Sequence, residues 1–359
     1  MKTDMTYQDL GFNDTLAQYR QQHGLDAFMT GRVIAEHKER YTIKTPEAEF
    51  DAELVGSLRF GAIDRYDLPA VGDWVAFTEF DEGRALIHHV FPRNSIVERK
   101  AAGARGKVQI IATNIDVGLI VQGMDRDFNI NRLERYVTIC HTSRIRSIVV
   151  LSKIDLISPE ELNTRIQAVK NRLNAVTVVA VSMHTHEKYA GLTPLIERGQ
   201  TYCLLGSSGA GKSTLLNHIL GNDHMATGEI SSSVNKGKHT TSHRELILIE
   251  NGGILIDNPG MREVGLTDLA DGLETTFEDI LDYAYSCKFR DCTHSFEKGC
   301  AILKAVENGE IHEDSYANFQ KMQLEKQHFE SSFLERKKKD KDLGKLIKNM
   351  KKQRKGNKY

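Results

Sequence analysis

The segment "GSSGAGKS", residues 206 to 213, has the composition of a phosphate cradle. Gly206 is followed by Ser207, Ser208, Gly209 and Ala210, then by Gly211, Lys212 and Ser213, with Thr214 beside them. The apolar run "YCLL" leads into it and the helical pattern "STLLNHIL" leads out, which is the context a phosphate loop requires. Glycines let backbone N–H groups approach phosphate oxygens, Lys212 reaches the β and γ phosphates, and the Ser213 hydroxyl binds Mg²⁺. The loop alone does not distinguish ATP from GTP, or a hydrolase from a kinase.

Further along, "ILIDNPG" ends an apolar strand in Asp257-x-x-Gly260. Asp257 is expected to hold Mg²⁺ and the Gly260 N–H to sense the γ-phosphate. Between the two motifs lies "NKGKHTTSHRE", polar and without periodicity, where Thr240 or Thr241 could give Mg²⁺ a second hydroxyl. Upstream of the phosphate loop is "LSKIDL", residues 151 to 156. There Lys153 can lie along a purine ring, and Asp155 can accept from the two N–H donors that guanine has and adenine lacks. The strand "TVVAVS" ends at Ser182, whose backbone and hydroxyl would support that contact. Base reading therefore precedes the phosphate loop in the chain, a rotation of the usual order with nothing missing. Because termini of such a domain lie close together at the surface, a new cut leaves the same sheet.

A third constellation is "CKFRDCTHSFEKGC": Cys287, Cys292, His294 and Cys300. Three thiolates and an imidazole within fourteen residues match a closed structural Zn²⁺ site, with no position left for metal catalysis. The bland alternative is a cluster of reduced cysteines.

These residues need elements to position them. From 108 onward, apolar runs such as "IDVGLIVQ", "RSIVVLSKID" and "NGGILIDNPG" alternate with helical stretches such as "PEELNTRIQAVKNRL". That is the pattern of a parallel sheet covered on both faces, whose strand C-termini form the active edge. Residues 30 to 97 instead read as five short strands, which suits an OB-type barrel, with an SH3-like barrel or a structural cap as the other readings. "FPRNSIVERKAAGARGK" reads as an exposed basic linker between the two.

The 359 residues, 40% hydrophobic, suffice for two or three domains. No N-terminal apolar segment and no run of about 18 apolar residues occurs, so a soluble cytoplasmic protein is expected. Five cysteines, an odd count, argue against a disulfide framework, and Cys140 and Cys203 read as core residues. The net charge of −1 hides a basic arm: residues 336–359 hold twelve Lys/Arg against two Asp, a net of +10. Such an arm either solubilises the chain or binds a polyanion, RNA or anionic membrane; with no Trp or Phe anchor in it, RNA fits better.

Taken together, the motif order and the Cys-x4-Cys-x-His-x5-Cys spacing resemble the circularly permuted ribosome-assembly GTPases of the RsgA (YjeQ) family over nearly the whole chain. The resemblance implies a multidomain α/β architecture. An N-terminal extension (1–29) would precede an OB-fold barrel (30–100), a permuted P-loop GTPase domain (105–275), an α-helical zinc-binding domain (276–335) and the basic tail (336–359). It also implies a cytoplasmic GTP hydrolase stimulated by the small ribosomal subunit, acting late in that subunit's maturation, with barrel and zinc domain on rRNA. No membrane or DNA partner is expected, and nothing calls for an oligomer. Two positions depart from common GTPase usage. Ser152 stands where many GTPases have Asn, so a side-chain contact to base or phosphate loop is expected to be shortened or lost. Met261 follows Gly260 where many have a water-orienting Gln, and the resemblance puts His239 forward for that task. The rival readings are a P-loop ATPase or kinase, and a ribosome-binding checkpoint in which hydrolysis only times release.

Overall fold

The computed structural model describes residues 5–37, 40–100, 108–173, 175–182, 189, 191–221, 245–257 and 270–327. Five strands near the N-terminus close on themselves: β1 (Met29–His37), β2 (Arg40–Lys44), β3 (Glu49–Leu54), β4 (Trp74–Asp81) and β5 (Arg84–Val90). Their order is β1-β2-β3-β5-β4, and β4 pairs back onto β1; only β3 and β5 run parallel. This closed five-stranded ring, with the short helix α2 (Gly56–Gly61) between β3 and β4, fits the OB-type expectation. Phe50 and Ala52 point inward from β3 while their neighbours face out, joining Val33, Ile43, Phe77 and Ile87 in the barrel core.

Residues 5–28, with helix α1 (Asp14–Gln22) capped by the Asn13 side chain, pack Leu10, Leu16 and Leu25 around Trp74 and Phe91 on the outside of the barrel. Arg32 is buried beneath this layer, donating to the carbonyls of Leu10, Gly72 and Asn114.

The expected basic linker is partly structured. Residues 96–100 form β6 (Ile96–Lys100), which pairs antiparallel with β7 (Val108–Thr113), and Val97 is buried. The hairpin forms because Val97 of β6 and Ile111 and Ala112 of β7 join one apolar cluster, which the surrounding charges hide in the sequence.

The second sheet is built from β8 (Val117–Gly123), β9 (Arg146–Ser152), β10 (Thr177–Ala180), β11 (Thr201–Leu205), β12 (Glu245–Leu248) and β13 (Ile254–Asp257). Its order is β10-β9-β8-β11-β13-β12, parallel except for the β12–β13 pair. β12 was not expected; it also touches the barrel through the pairing of Ala35 with Glu245. Helices α3 (Ile130–Thr142) and α4 (Pro159–Arg172) cover one face, and α5 (Lys212–Leu220) the other. On β8, Val117, Leu119 and Val121 pack with Leu215 and Leu216 of α5, whereas Ile120 packs with Leu133 and Val137 of α3. Strands apolar on both faces follow from that burial. Cys140 and Cys203 are both core residues.

After the sheet come α6 (Ala270–Thr276), α7 (Glu278–Asp282), α8 (Ala301–Glu307) and a helix over residues 313–327, around Leu273, Phe277, Ile302, Phe319 and Met322. This helical unit lies directly on α3. A Cβ on Gly272 would meet the Thr142 hydroxyl at 2.1 Å and the Thr138 carbonyl at 2.4 Å, so only glycine permits the approach of α6. Beside it, Glu134 of α3 is buried and fully bonded. It accepts from Arg172 Nε (2.9 Å) and Nη2 (2.7 Å), from Ser315 Oγ (3.0 Å) and from Asn318 Nδ2 (2.6 Å). Among the described residues no helix is long and apolar enough to cross a membrane.

Candidate nucleotide site and metal centre

β11 and α5 present the phosphate loop between them, as the apolar run and the helical period required. Gly206 has φ +139°, and a Cβ there would lie 2.2 Å from the Val121 carbonyl oxygen of β8. Glycine is thus obligatory at the first bend. Gly211 caps α5, whose N-terminal N–H groups and dipole face the loop. Lys212 Nζ donates to the carbonyls of Gly206 (2.7 Å) and Ser207 (2.6 Å), so its ammonium is held at the loop it serves. Ser208 and Gly209 are exposed, Ala210 is buried, and Ser213 and Thr214 are half-buried in the first turn of α5.

The base-reading residues arrive on the same sheet edge. Ser152 ends β9, fully buried, and its hydroxyl donates to the Ala210 carbonyl at 2.6 Å. Of the expectation that a contact to base or phosphate loop is shortened or lost, loss does not occur on the phosphate-loop side: Ala210 lies within reach of the shorter side chain. Lys153 follows in the left-handed region at φ +58°, which turns the chain out of the strand. Its Nζ lies 2.7 Å from Asp125 Oδ2. Asp155 is exposed, and its Oδ1 accepts from the Ser182 hydroxyl at 3.0 Å. Asp155, which follows β9, and Ser182, which follows β10, both singled out from the sequence, thus meet.

Asp125 was missed. Its signal was position alone: an acid two residues beyond β8, at the C-terminal edge where parallel sheets gather ligands. Partial burial opposes its charge, but the Lys153 hydrogen bond and the Asp127 N–H hold its carboxyl below the ordinary carboxylate range. Asp257 ends β13, its backbone paired with Glu245. His239, Thr240, Thr241, Gly260 and Met261 lie outside the described residues, as does the basic tail.

Cys287, Cys292, His294 and Cys300 bring their ligand atoms within 4.8 Å of one another. Cys287 Sγ is 3.6 Å from His294 Nδ1 and 3.9 Å from Cys300 Sγ, and Cys300 Sγ is 3.6 Å from the same nitrogen. A tetrahedron with metal–sulfur bonds of about 2.3 Å has edges of roughly 3.8 Å, so the spacing suits one ion. Backbone N–H groups of Ala301 and Leu303 point at the sulfurs of Cys287 and Cys300 and favour thiolates. His294 adopts φ +58°, and its carbonyl is held by Tyr316 Oη and Gln320 Nε2 of the 313–327 helix. The cluster can hold a metal ion.

Fold and site together define a circularly permuted P-loop GTPase, a hydrolase of GTP, carrying a barrel before the nucleotide domain and a Cys₃His centre after it. A family model described as RsgA GTPase matches residues 90–267. The "Small ribosomal subunit biogenesis GTPase RsgA" of Opitutus terrae is 38% identical over 331 residues, covering 89% of this chain and 90% of that protein. The chain belongs to the RsgA GTPase family. A Bacteroides thetaiotaomicron relative, "Small ribosomal subunit biogenesis GTPase RsgA 1", is 37% identical over 346 residues, 96% of both chains. Among solved structures, YjeQ from Thermotoga maritima matches with TM-score 0.63 and 23% identity over 83% of this chain and 98% of that one. YloQ, described as a circularly permuted GTPase, matches with TM-score 0.62 and 24% identity over 85% and 97%. These two likenesses show the fold.

Proposed function

We propose that this chain is a small-subunit biogenesis GTPase whose hydrolysis of GTP is stimulated by the small ribosomal subunit. It acts late in that subunit's maturation, bound to rRNA through the barrel and the metal-bearing unit, and leaves after hydrolysis. The observation that carries the reading is the bond from Ser152 to Ala210 beside the Ser182–Asp155 contact, which makes base-reading edge and phosphate loop one rigid unit. The relatives, small ribosomal subunit biogenesis GTPases by name, point to the partner.

In this reading Asp155, backed by Ser182, selects guanine, while Lys153 covers the ring. Gly206, Ser207, Ser208, Gly209, Ala210, Gly211 and Thr214 line the phosphates through backbone N–H groups, and Lys212 bridges the β and γ oxygens. Ser213 and Asp257, with Thr240 or Thr241, hold Mg²⁺, which when bound neutralises charge on the phosphates. The Gly260 N–H marks the γ-phosphate. The transition state is loose and charge-dominated, so Lys212 carries much of the stabilisation and His239 orients the attacking water.

Zn²⁺ is the ion assigned to Cys287, Cys292, His294 and Cys300, in a structural role. The protein works in the cytoplasm, as a monomer. The basic residues 336–359 add a polyanion-binding arm, so subunit binding weakens steeply with salt.

The test is phosphate release from GTP, with ATP as control, with and without purified small subunits at moderate salt. Strong stimulation confined to GTP is expected. Turnover of ATP as fast as GTP would defeat the guanine assignment, and a GTP rate unmoved by subunits would defeat the ribosomal partner.

A further inference from the structure

The ammonium of Lys153 does not stand free at the sheet edge. It forms an ion pair with Asp125 at 2.7 Å, and both side chains are about three-quarters buried, with exposures of 29% and 23%. Asp125 is itself held. Met124 N donates to the Ser152 carbonyl at 2.9 Å, tying the turn after β8 to the end of β9. From α4, Arg165 Nη1 donates to the Met124 carbonyl at 3.0 Å, its guanidinium lies over the Phe128 ring at 4.9 Å, and Glu161 pairs with Nη2. The Asp127 N–H donates to Asp125 Oδ1 at 3.0 Å, which leaves Oδ2 turned to Lys153.

We infer that Asp125 is a positioning residue for guanine recognition: it anchors the Lys153 ammonium so that the methylene stem forms a fixed ledge for the flat face of the base. This rests on the reading of Lys153 and Asp155 as base contacts. The physical reason is entropy. A lysine has four rotatable bonds, and ordering them at the moment of binding weakens binding; a partner that orders them beforehand removes that loss. The left-handed backbone of Lys153 aims the stem, and Asp125 fixes its far end. Asp125 acts only through Lys153.

That last property gives the test. GDP and ADP dissociation constants are measured for the full-length protein and for Asp125→Asn, Lys153→Met and the double variant. Asp125→Asn keeps the shape of the side chain and removes its charge, while Lys153→Met keeps the stem and removes the ammonium. Asp125→Asn is expected to weaken GDP binding about five- to tenfold on its own, and by less than about twofold in the Lys153→Met background. Weakening by the same factor in both backgrounds would mean a general structural role and overturn the inference, as would an unchanged constant for Asp125→Asn alone. ADP separates the two levels. If the unaltered protein bound ADP as tightly as GDP, the guanine reading would fall and the inference with it; a GDP preference with additive variants would overturn the inference alone.

Discussion

The Ser152 hydroxyl donates to the Ala210 carbonyl across 58 residues of sequence, at 2.6 Å and with Ser152 wholly buried. Strand β9 is thereby tied to the phosphate loop by a side chain shorter than the Asn common at this position. Removing the hydroxyl leaves a buried carbonyl without that donor, which costs about 1–3 kcal/mol. Ser152→Ala is therefore expected to lower the free energy of unfolding by that amount, seen as a lower urea midpoint at unchanged slope. It should weaken GTP and ATP binding by similar factors, because what loosens is the phosphate loop. Equilibrium unfolding and nucleotide titration check both, and a loss confined to GTP would place Ser152 on the base instead.

The contrast between these contacts and the elements that carry them explains what could be read in the sequence. Barrel strands β2, β3 and β5 alternate and the parallel strands show apolar runs, because each pattern is the imprint of burial on one face or on two. β12 is four residues long, "ELIL", and follows a polar stretch, so it has no period to display. β6 hides because Val97 is buried among charged neighbours. The phosphate loop and the cysteine cluster were legible because their residue types do little else at such spacing. Asp125, Arg165 and Glu134 were not, since each draws its meaning from a partner that only the fold brings near; Glu134 and Asn318 are 184 residues apart.

Glu134 and Arg172 form a buried ion pair, 1% and 9% exposed, which Ser315 and Asn318 complete from the C-terminal helix. Burial raises the Glu134 pKa, with Arg172 foremost among the groups that oppose the rise. Arg172→Met removes the counter-charge and is expected to cost about 3–5 kcal/mol at neutral pH. A carboxyl with a raised folded pKa contributes stability when protonated and loses it as pH rises through that value. The destabilisation should therefore shrink toward acid pH. Urea unfolding of the variant and the native protein at several pH values measures it, and a pH-independent difference would contradict the account.

Gly272 lets α6 approach α3 so closely that a methyl group would overlap the Thr142 hydroxyl and the Thr138 carbonyl. The latter is backbone and cannot rotate away. Gly272→Ala should raise helix propensity and still destabilise, by about 1–3 kcal/mol, because overpacking outweighs the gain from alanine. Thermal unfolding reads the sign directly: a higher Tm would show that the helices separate at little cost.

Asp9 joins the N-terminal segment to the turn before β11, pairing with Arg198, whose Nη2 lies 2.8 Å from Oδ2. This partner first, and the Thr6 N–H and hydroxyl further, lower the Asp9 carboxyl from 3.8 to about 2. A depressed carboxylate contributes stability above its unfolded pKa and loses it as pH falls through the folded value. Arg198→Ala should accordingly be less stable than the native protein at pH 6, with the gap closing between about pH 4 and pH 2. A gap that persisted at pH 2 would mean that Arg198 stabilises by packing and not by charge.

The Cys₃His cluster sets the loop 287–300 against the helix at 313–327 through the His294 carbonyl, so a metal ion bound there and helical packing would stabilise one another. Structural zinc in small sites is bound with an apparent free energy of about 10–16 kcal/mol near neutral pH, comparable to the stability of a whole domain. Stripping the metal with a strong chelator is therefore expected to release one zinc per chain and to melt the helices around Phe319 and Met322. The β8–β13 sheet should survive, and its nucleotide binding with it once Mg²⁺ is restored, since its two apolar layers contain none of the Cys₃His ligands. Cys292→Ser should reproduce the loss without chelator, because three ligands hold the ion more weakly than four. Metal analysis of the purified protein and helix content before and after chelation decide the matter. A chain that carried no zinc and kept its full helicity would show that the thiols pack as reduced cysteines instead.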